Sequence, residues 1–235
     1  MSFFTRAQEK PGASAQELAD KLSTPVSNLI SLPIQNNLDY GIGPHNGSKY
    51  TINIQPVIPF RLNSNWNLIS RTILPVVHQS KVANAESQSG LGDVTQSFFF
   101  SPPAKNGFTW AVGPALLIPT ATDELLGTEK FGIGPTVLAL KQKEGWTYGV
   151  LSNHIWSVAG DDNRASVNST FLQPFLAYNT RDAWTYTVNT ESSYDWTGNH
   201  WSVPINFTMS KLVRFGKHPV SLGGGIRCWA TSPAG

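Results

Sequence analysis

The stretch Trp184-Thr-Tyr-Thr-Val-Asn-Thr-Glu-Ser-Ser-Tyr-Asp-Trp196 decides the fold. Trp184, Tyr186, Val188, Tyr194 and Trp196 fall on one face of an extended chain, and Thr185, Thr187, Asn189, Glu191, Ser193 and Asp195 on the other. Period-two alternation is the mark of a β-strand, and two faces of such different polarity want different solvents. The segment from Trp201 repeats the scheme, with Val203, Ile205, Phe207 and Met209 against Ser202, Asn206, Thr208 and Ser210. So does Tyr50 to Phe60, with Ile52, Ile54 and Ile58 against Thr51, Asn53 and Gln55. Working outward, period two holds from about Ile34 to the end, giving eleven candidate strands of about 10 to 13 residues each.

The connections alternate in length. Short ones fall near Arg61 to Asn65, Pro102 to Gly107, Gln142 to Gly145, Thr180 to Ala183 and Phe215 to His218. Longer ones mostly fall between them, near Gln79 to Gly90, Thr120 to Lys130 and Gly160 to Ala165, and more briefly near His45 to Ser48 and Thr197 to His200. An up-and-down antiparallel sheet with tight turns at one end and looser loops at the other has this rhythm; a βαβ fold does not. Interior prolines, Pro56, Pro114, Pro135, Pro174 and Pro204, each remove a ladder donor. Gly43-Pro44, Gly113-Pro114 and Gly134-Pro135 read as a recurring device that curves the wall.

Tryptophan placement separates a soluble barrel from a membrane one. Trp66, Trp110, Trp146 and Trp184 each follow a short turn, whereas Trp156, Trp196 and Trp201 lie beside longer loops. Indole is amphipathic and favours the headgroup boundary, so two aromatic girdles around an apolar band are what a bilayer selects. The alternative is a soluble lipid- or small-ligand-binding β-barrel, which would bury these rings inside.

Composition agrees with strands and turns. Only 14% of the 235 residues are charged and 11% are aromatic, with twenty glycines and sixteen prolines, which excludes a helical bundle or a disordered tail. The net charge of +2 comes without a basic cluster, so nucleic acid is not an expected partner. The single Cys228 excludes an internal disulfide or a cysteine-based zinc site. No stretch approaches the roughly 18 apolar residues of a membrane-spanning helix.

Before the strands, Ser14-Ala-Gln-Glu-Leu-Ala-Asp-Lys-Leu22 opens with a Ser-x-x-Glu capping box and places Leu18 and Leu22 on one face of a short helix. Val26, Leu29 and Ile30 continue an apolar stretch to Pro33. The expected organisation is an N-terminal extension with this helix over 1–33 and a barrel over 34–235. Met1-Ser-Phe-Phe-Thr-Arg lacks the features of a secretory signal, so the sequence is read without its signal peptide. Bacterial single-chain barrels have even strand numbers. Eleven strands therefore call for a twelfth after Gly235, with a gap or weakened pairing between the strand near 36–43 and that near 220–230.

The segment from Ser14 through Pro33-Ile-Gln-Asn-Asn, then Gly41-Ile-Gly-Pro, Gly90-Leu-Gly-Asp and Gly132-Ile-Gly-Pro-Thr, resembles a known bacterial family over nearly the whole chain. It is the outer-membrane transporter family associated with phenol-degradation pathways, whose members often carry the mistaken label neuromedin U. The resemblance implies an exported outer-membrane β-barrel with a transport role and no established catalytic residues.

The residues offer little for catalysis. His45, His78, His154, His200 and His218 are scattered without ligand spacing, so no metal is expected. An outer-membrane lipid hydrolase would use His154 with Ser152 or Ser169, yet no third orienting group is in view. The Gly-x-Gly pairs precede no helix and cannot cradle phosphate there. No cofactor is implied. Asp123, Glu124, Glu129, Asp161 and Asp162 make the longer loops acidic, and Arg61, Lys105, Lys141, Lys143, Arg181, Arg214 and Lys217 make the short-turn end basic.

The reading is a transmembrane up-and-down barrel of about twelve strands in the bacterial outer membrane. It meets outer-membrane lipid and lipopolysaccharide and passes small solutes, and the resemblance implies aromatic compounds among them. Asn53, Gln55, Arg71, Asn189, Glu191, Asn206 and Arg227 are expected to line its lumen, and no catalytic residues are expected.

Overall fold

Asn106 and Gly107 have φ of 52° and 74°, and Glu144 and Gly145 of 53° and 82°. Two consecutive positive φ values define the tight hairpin turn whose twist matches that of the flanking strands. Such turns fold the chain back at one end of an antiparallel barrel. The protein, seen in a computed structural model, is described over residues 2–7, 15–25, 29–83, 86–216 and 218–232. Ser14 of the capping box, Val26 and Lys217 lie outside the described residues.

In chain order the elements are β1 (Ser2–Ala7), α1 (Ala15–Leu22), β2 (Ser31–Ile42), β3 (Gly47–Ile54), β4 (Val57–Arg61), β5 (Asn67–Ser80), β6 (Ser87–Leu91), β7 (Val94–Ser101), β8 (Phe108–Ile118), β9 (Lys130–Lys143), β10 (Trp146–Gly160), β11 (Asn168–Asn179), β12 (Trp184–Thr190), β13 (Ser192–Asp195), β14 (His200–Phe215) and β15 (His218–Thr231). Every pairing between them is antiparallel.

Three staves of the wall are interrupted once each, so the fifteen strands make twelve staves. β3 and β4 keep one register against β5 on either side of Gln55-Pro56, where the proline has no N–H to give. β12 and β13 keep one register against β14 on either side of Glu191, opposite Pro204. β6 and β7 differ by one residue against β5, a β-bulge at Gly92-Asp93. Pro114 and Pro135 pair directly across β8 and β9. Gly43-Pro44, by contrast, sits in the β2–β3 turn.

The origin of the twelfth stave corrects the expectation from sequence. β1 pairs with β15 from Ser2↔Gly224 to Arg6↔Val220 and with β2 from Ser2↔Asn36 to Ala7↔Ser31. Among the described residues the ring is thus closed by the amino-terminal segment, and residues 2–7 belong to the wall instead of to an extension. Above Ser2 the described residues of β2 and β15 share no ladder. There Trp229 Nε1 donates to Asp39 Oδ1 at 3.1 Å, and Arg227 lies 3.5 Å from the same carboxylate.

Candidate functional site: the lumen of the barrel

Direction is settled by neighbours on one pair of strands. Val188, Ile205 and Phe207 are 46, 50 and 45% exposed, whereas Asn206 is fully buried. The apolar faces of β12 and β14 therefore point outward and the polar faces into the barrel. Directly paired residues share a face, and Asn189↔Asn206↔Arg227 form one inward row. Asn53 lies opposite the buried Gln35, and Gln55, Arg71, Asn189 and Glu191 line one inner cavity. These pairings and the cavity put Asn53, Gln55, Arg71, Asn189, Glu191, Asn206 and Arg227 on the inner side of the wall. Tyr186 is exposed like Val188, while Ile52 and Ile54 are half-covered.

Two hydrogen-bonded networks organise this wall. In the first, Arg227 donates to Asn206 Oδ1 at 2.8 Å and to Glu191 Oε2 at 2.9 Å, and Asn206 Nδ2 donates to Asn189 Oδ1 at 2.8 Å. With Asp39 beside it, this guanidinium is held by two carboxylates. In the second, Arg71 Nη2 donates to Gln55 Oε1 at 3.0 Å, Gln55 to Gln35 at 3.0 Å, and Gln35 to Asn37 at 3.1 Å. Here the guanidinium rests on a relay of neutral amides. Gln35, Asn37 and Asp39 were not singled out from the sequence, although their odd-numbered spacing along β2 is the same alternation that marks the other lumen residues.

The inner face is not polar throughout. Val57, Ile69, Phe99, Ala111, Leu138, Leu140, Leu151 and Phe175 form a buried cluster inside the barrel, with Phe171 against it. Strands β9 to β11 thus carry apolar residues on both faces, where strict alternation would place polar groups inside. The inner wall therefore carries an apolar cluster from β4 to β11 interspersed with buried polar residues such as Ser97, Thr136 and Gln173.

Helix α1 stoppers the short-turn end. Leu18, Leu29, Ala183 and Leu212 pack together, with Leu22 against them. Asn179, 1% exposed, donates to Asp20 Oδ1 at 2.7 Å and to Ser23 Oγ at 2.9 Å while accepting from Thr185 at 2.6 Å. Gln142 adds a bond to the Asp20 carbonyl at 2.7 Å. At the opposite end the 119–129 loop leans over the mouth, where Gln79 donates to the Leu125 carbonyl at 3.4 Å. Asp93, turned out by the bulge, accepts from the Thr128 N–H and hydroxyl, both at 2.6 Å. Arg164 holds the Glu124 and Gly127 carbonyls at 2.7 Å each. A side chain at Gly90 would collide with Thr122 of this loop, which explains the glycine in Gly90-Leu-Gly-Asp93.

The outer face carries the tryptophans. Trp66, Trp110, Trp146, Trp156, Trp196 and Trp201 are exposed, and Trp184 is half-covered beneath Lys211, whose Nζ is 4.8 Å from the ring. Trp66 and Trp110 meet edge-on at 5.8 Å, and Tyr194 joins Trp196 and Trp201 at 4.8 and 4.9 Å. Trp146 and Trp156 lie ten residues apart on β10, and ten residues at about 3.3 Å with the usual strand tilt separate the belts by about 25 Å, the height of an apolar bilayer band. Trp229 differs from the other seven: it points inward to Asp39. Ser152 and His154 do not meet. Ser152 Oγ donates to the Phe171 carbonyl at 2.8 Å, and His154 Nδ1 pairs with Thr170 at 2.7 Å.

These features define an up-and-down antiparallel β-barrel with a helix-stoppered lumen. No family model and no curated protein matches the chain. Among solved structures, the crystal structure of the COG4313 outer membrane channel from Pseudomonas putida F1 is similar over 97% of this chain and 94% of that one, at 13% identity and a TM-score of 0.56. That likeness shows the fold, a β-barrel of the kind found in an outer membrane channel.

Proposed function

We propose that this chain is a bacterial outer-membrane channel that passes small solutes passively, single-ring aromatic compounds among them. One observation carries the reading: an exposed apolar outer face bordered by two tryptophan belts surrounds a hydrogen-bonding inner wall, the inverse of a soluble barrel. The structural neighbour, an outer membrane channel, supports the same class. Outer-membrane hydrocarbon would cover Val188, Ile205 and Phe207. Lipopolysaccharide would meet the longer loops, where Asp123, Asp161 and Asp162 suit bridging divalent cations. Support for aromatic solutes comes from Phe171, Phe175, Leu138 and Leu140 on the inner face and from the resemblance to the family tied to phenol degradation. The separation of Ser152 from His154 favours a channel over a lipid hydrolase.

Refolded protein in a planar bilayer is expected to conduct ions, and absence of any conductance or solute flux would overturn the reading. Helix α1 limits that conductance in this proposal. Asn179→Ala removes a hydrogen bond to the Asp20 carboxylate, an interaction worth about 1.5 to 3 kcal/mol. The variant is expected to keep its heat-modifiable gel migration while conducting more, with longer open events. Unchanged conductance in a folded Asn179→Ala channel would remove the helix from the conduction path.

A further inference from the structure

The two lumen arginines are held differently, and the difference points to a ligand. Arg227 is flanked by the Glu191 and Asp39 carboxylates, so its charge is met within the wall. Arg71 has one side-chain hydrogen bond among the described residues, to the neutral Gln55, although a guanidinium has five N–H donors in a planar fork. The relay from Gln55 through Gln35 to Asn37 fixes the acceptor that orients this fork.

Arg71 lines a cavity of about 180 Å³ above helix α1. Its walls include the apolar Val57, Phe175, Leu212 and Leu22 and the polar Gln55, Asn189, Thr187 and Thr208. Gln173 also lines it; the residue is 7% exposed and its Oε1 is buried with no hydrogen-bond partner. That oxygen is an acceptor, which a water or a donor group of a ligand meets and a carboxylate does not. Glu191 borders the same cavity and its charge acts on Arg71 through space, although its Oε2 accepts from Arg227 at 2.9 Å. A dry cavity of about 150 Å³ holds a benzene-sized molecule, so the space suits a body of one ring.

We propose that this cavity is a binding site for small organic monocarboxylates, with the carboxylate on the Arg71 fork and an apolar body of about one ring against Val57, Phe175 and Leu212. A carboxylate matches the fork in two parallel charge-assisted hydrogen bonds, which a neutral alcohol does not. The inference deepens the channel reading and rests on it for transport, while binding itself is independent of conduction.

The test uses benzoate, with benzyl alcohol as the neutral probe of like size. Calorimetry on folded protein in detergent is expected to detect benzoate binding to the wild type. Arg71→Gln should weaken it about tenfold or more, and Arg71→Lys, which keeps the charge but loses the fork, by less. Benzyl alcohol should bind both forms with equal, weaker affinity. In bilayers, benzoate should interrupt wild-type currents and leave Arg71→Gln currents uninterrupted. Equal benzoate affinity in wild type and both folded variants, or no benzoate binding to the wild type, would overturn the site. A conducting pore without Arg71-dependent binding defeats this inference alone, whereas Arg71-dependent binding without conductance defeats the channel reading alone.

Discussion

Deletion of Ser2–Ala7 is expected to abolish the heat-modifiable, protease-resistant barrel in lipid vesicles. Without β1, the backbone of β15 from Val220 to Gly224 and of β2 from Ser31 to Asn36 loses its ladder partner. In the hydrocarbon that the proposed function puts around the wall there is no water to replace it, and each orphaned N–H or C=O costs several kcal/mol. A few such groups exceed the 5 to 15 kcal/mol that holds an ordinary domain folded. Register gives a second, independent measurement. Thr5 lies opposite Ser221, and paired Cα atoms in an antiparallel ladder are about 4.5 to 5.5 Å apart, within disulfide reach. In a Cys228→Ser background, Thr5→Cys with Ser221→Cys should cross-link on oxidation, and Thr5→Cys with Gly225→Cys should not. A truncated chain that folds and resists protease like the full one, together with no Thr5–Ser221 cross-link, would take β1 out of the wall.

Most of the wall was legible in the sequence, because its signals are local. Period-two alternation marked the eleven staves from β2 to β15, and the five short turns lie where Asn-Gly, Glu-Gly and similar pairs place them. The Ser-x-x-Glu pattern located α1 to within a residue. β1 was missed for a physical reason. Ser2-Phe-Phe-Thr-Arg-Ala7 is shorter than the roughly 9 to 11 residues of a full transmembrane strand, and its partners near Gly224 are more than two hundred residues away in sequence. Nothing local announces such a pairing. The interior prolines, a difficulty in the sequence, fall where staves break or where two face each other, as at Pro114 and Pro135.

The inner surface was legible only by half. Alternation identified the faces of β12 and β14 and hence Asn189, Glu191, Asn206 and Arg227. It could not say that Arg227 is matched by two acids while Arg71 bonds to an amide, because Asp39 comes from a strand distant in sequence and the choice among neighbouring side chains is not written in alternation. The apolar patch inside had a signal that alternation obscured. Val137-Leu-Ala-Leu140 and Phe171-Leu-Gln-Pro-Phe-Leu-Ala177 are near-continuous apolar runs, the pattern of strands buried on both faces. Such runs on β9 and β11 place Leu138, Leu140 and Phe175 in the cluster that fills one side of the barrel.

Val188→Arg is expected to block assembly into membranes, whereas Glu191→Gln, three residues away on the same stave, should leave assembly intact and alter ion selectivity. Val188 lies on the outer face between the belts, opposite Leu176 and Phe207 on the neighbouring strands, both of them exposed. An arginine facing hydrocarbon near the midplane costs about 2 to 4 kcal/mol, and here no outward acid stands beside it among the paired residues. Glu191 faces the lumen beside Arg227, and glutamine keeps the shape and one acceptor for that guanidinium. The change leaves Arg227 with Asp39 as its remaining carboxylate and adds one unit of positive charge to the pore. Reversal potentials under a salt gradient should therefore shift toward anion preference in Glu191→Gln. Heat-modifiable migration in vesicles reads the other arm. A Val188→Arg chain that assembles as well as the wild type, beside a Glu191→Gln chain that does not assemble, would mean that the face now turned outward is the buried one and would replace the membrane barrel with a soluble one.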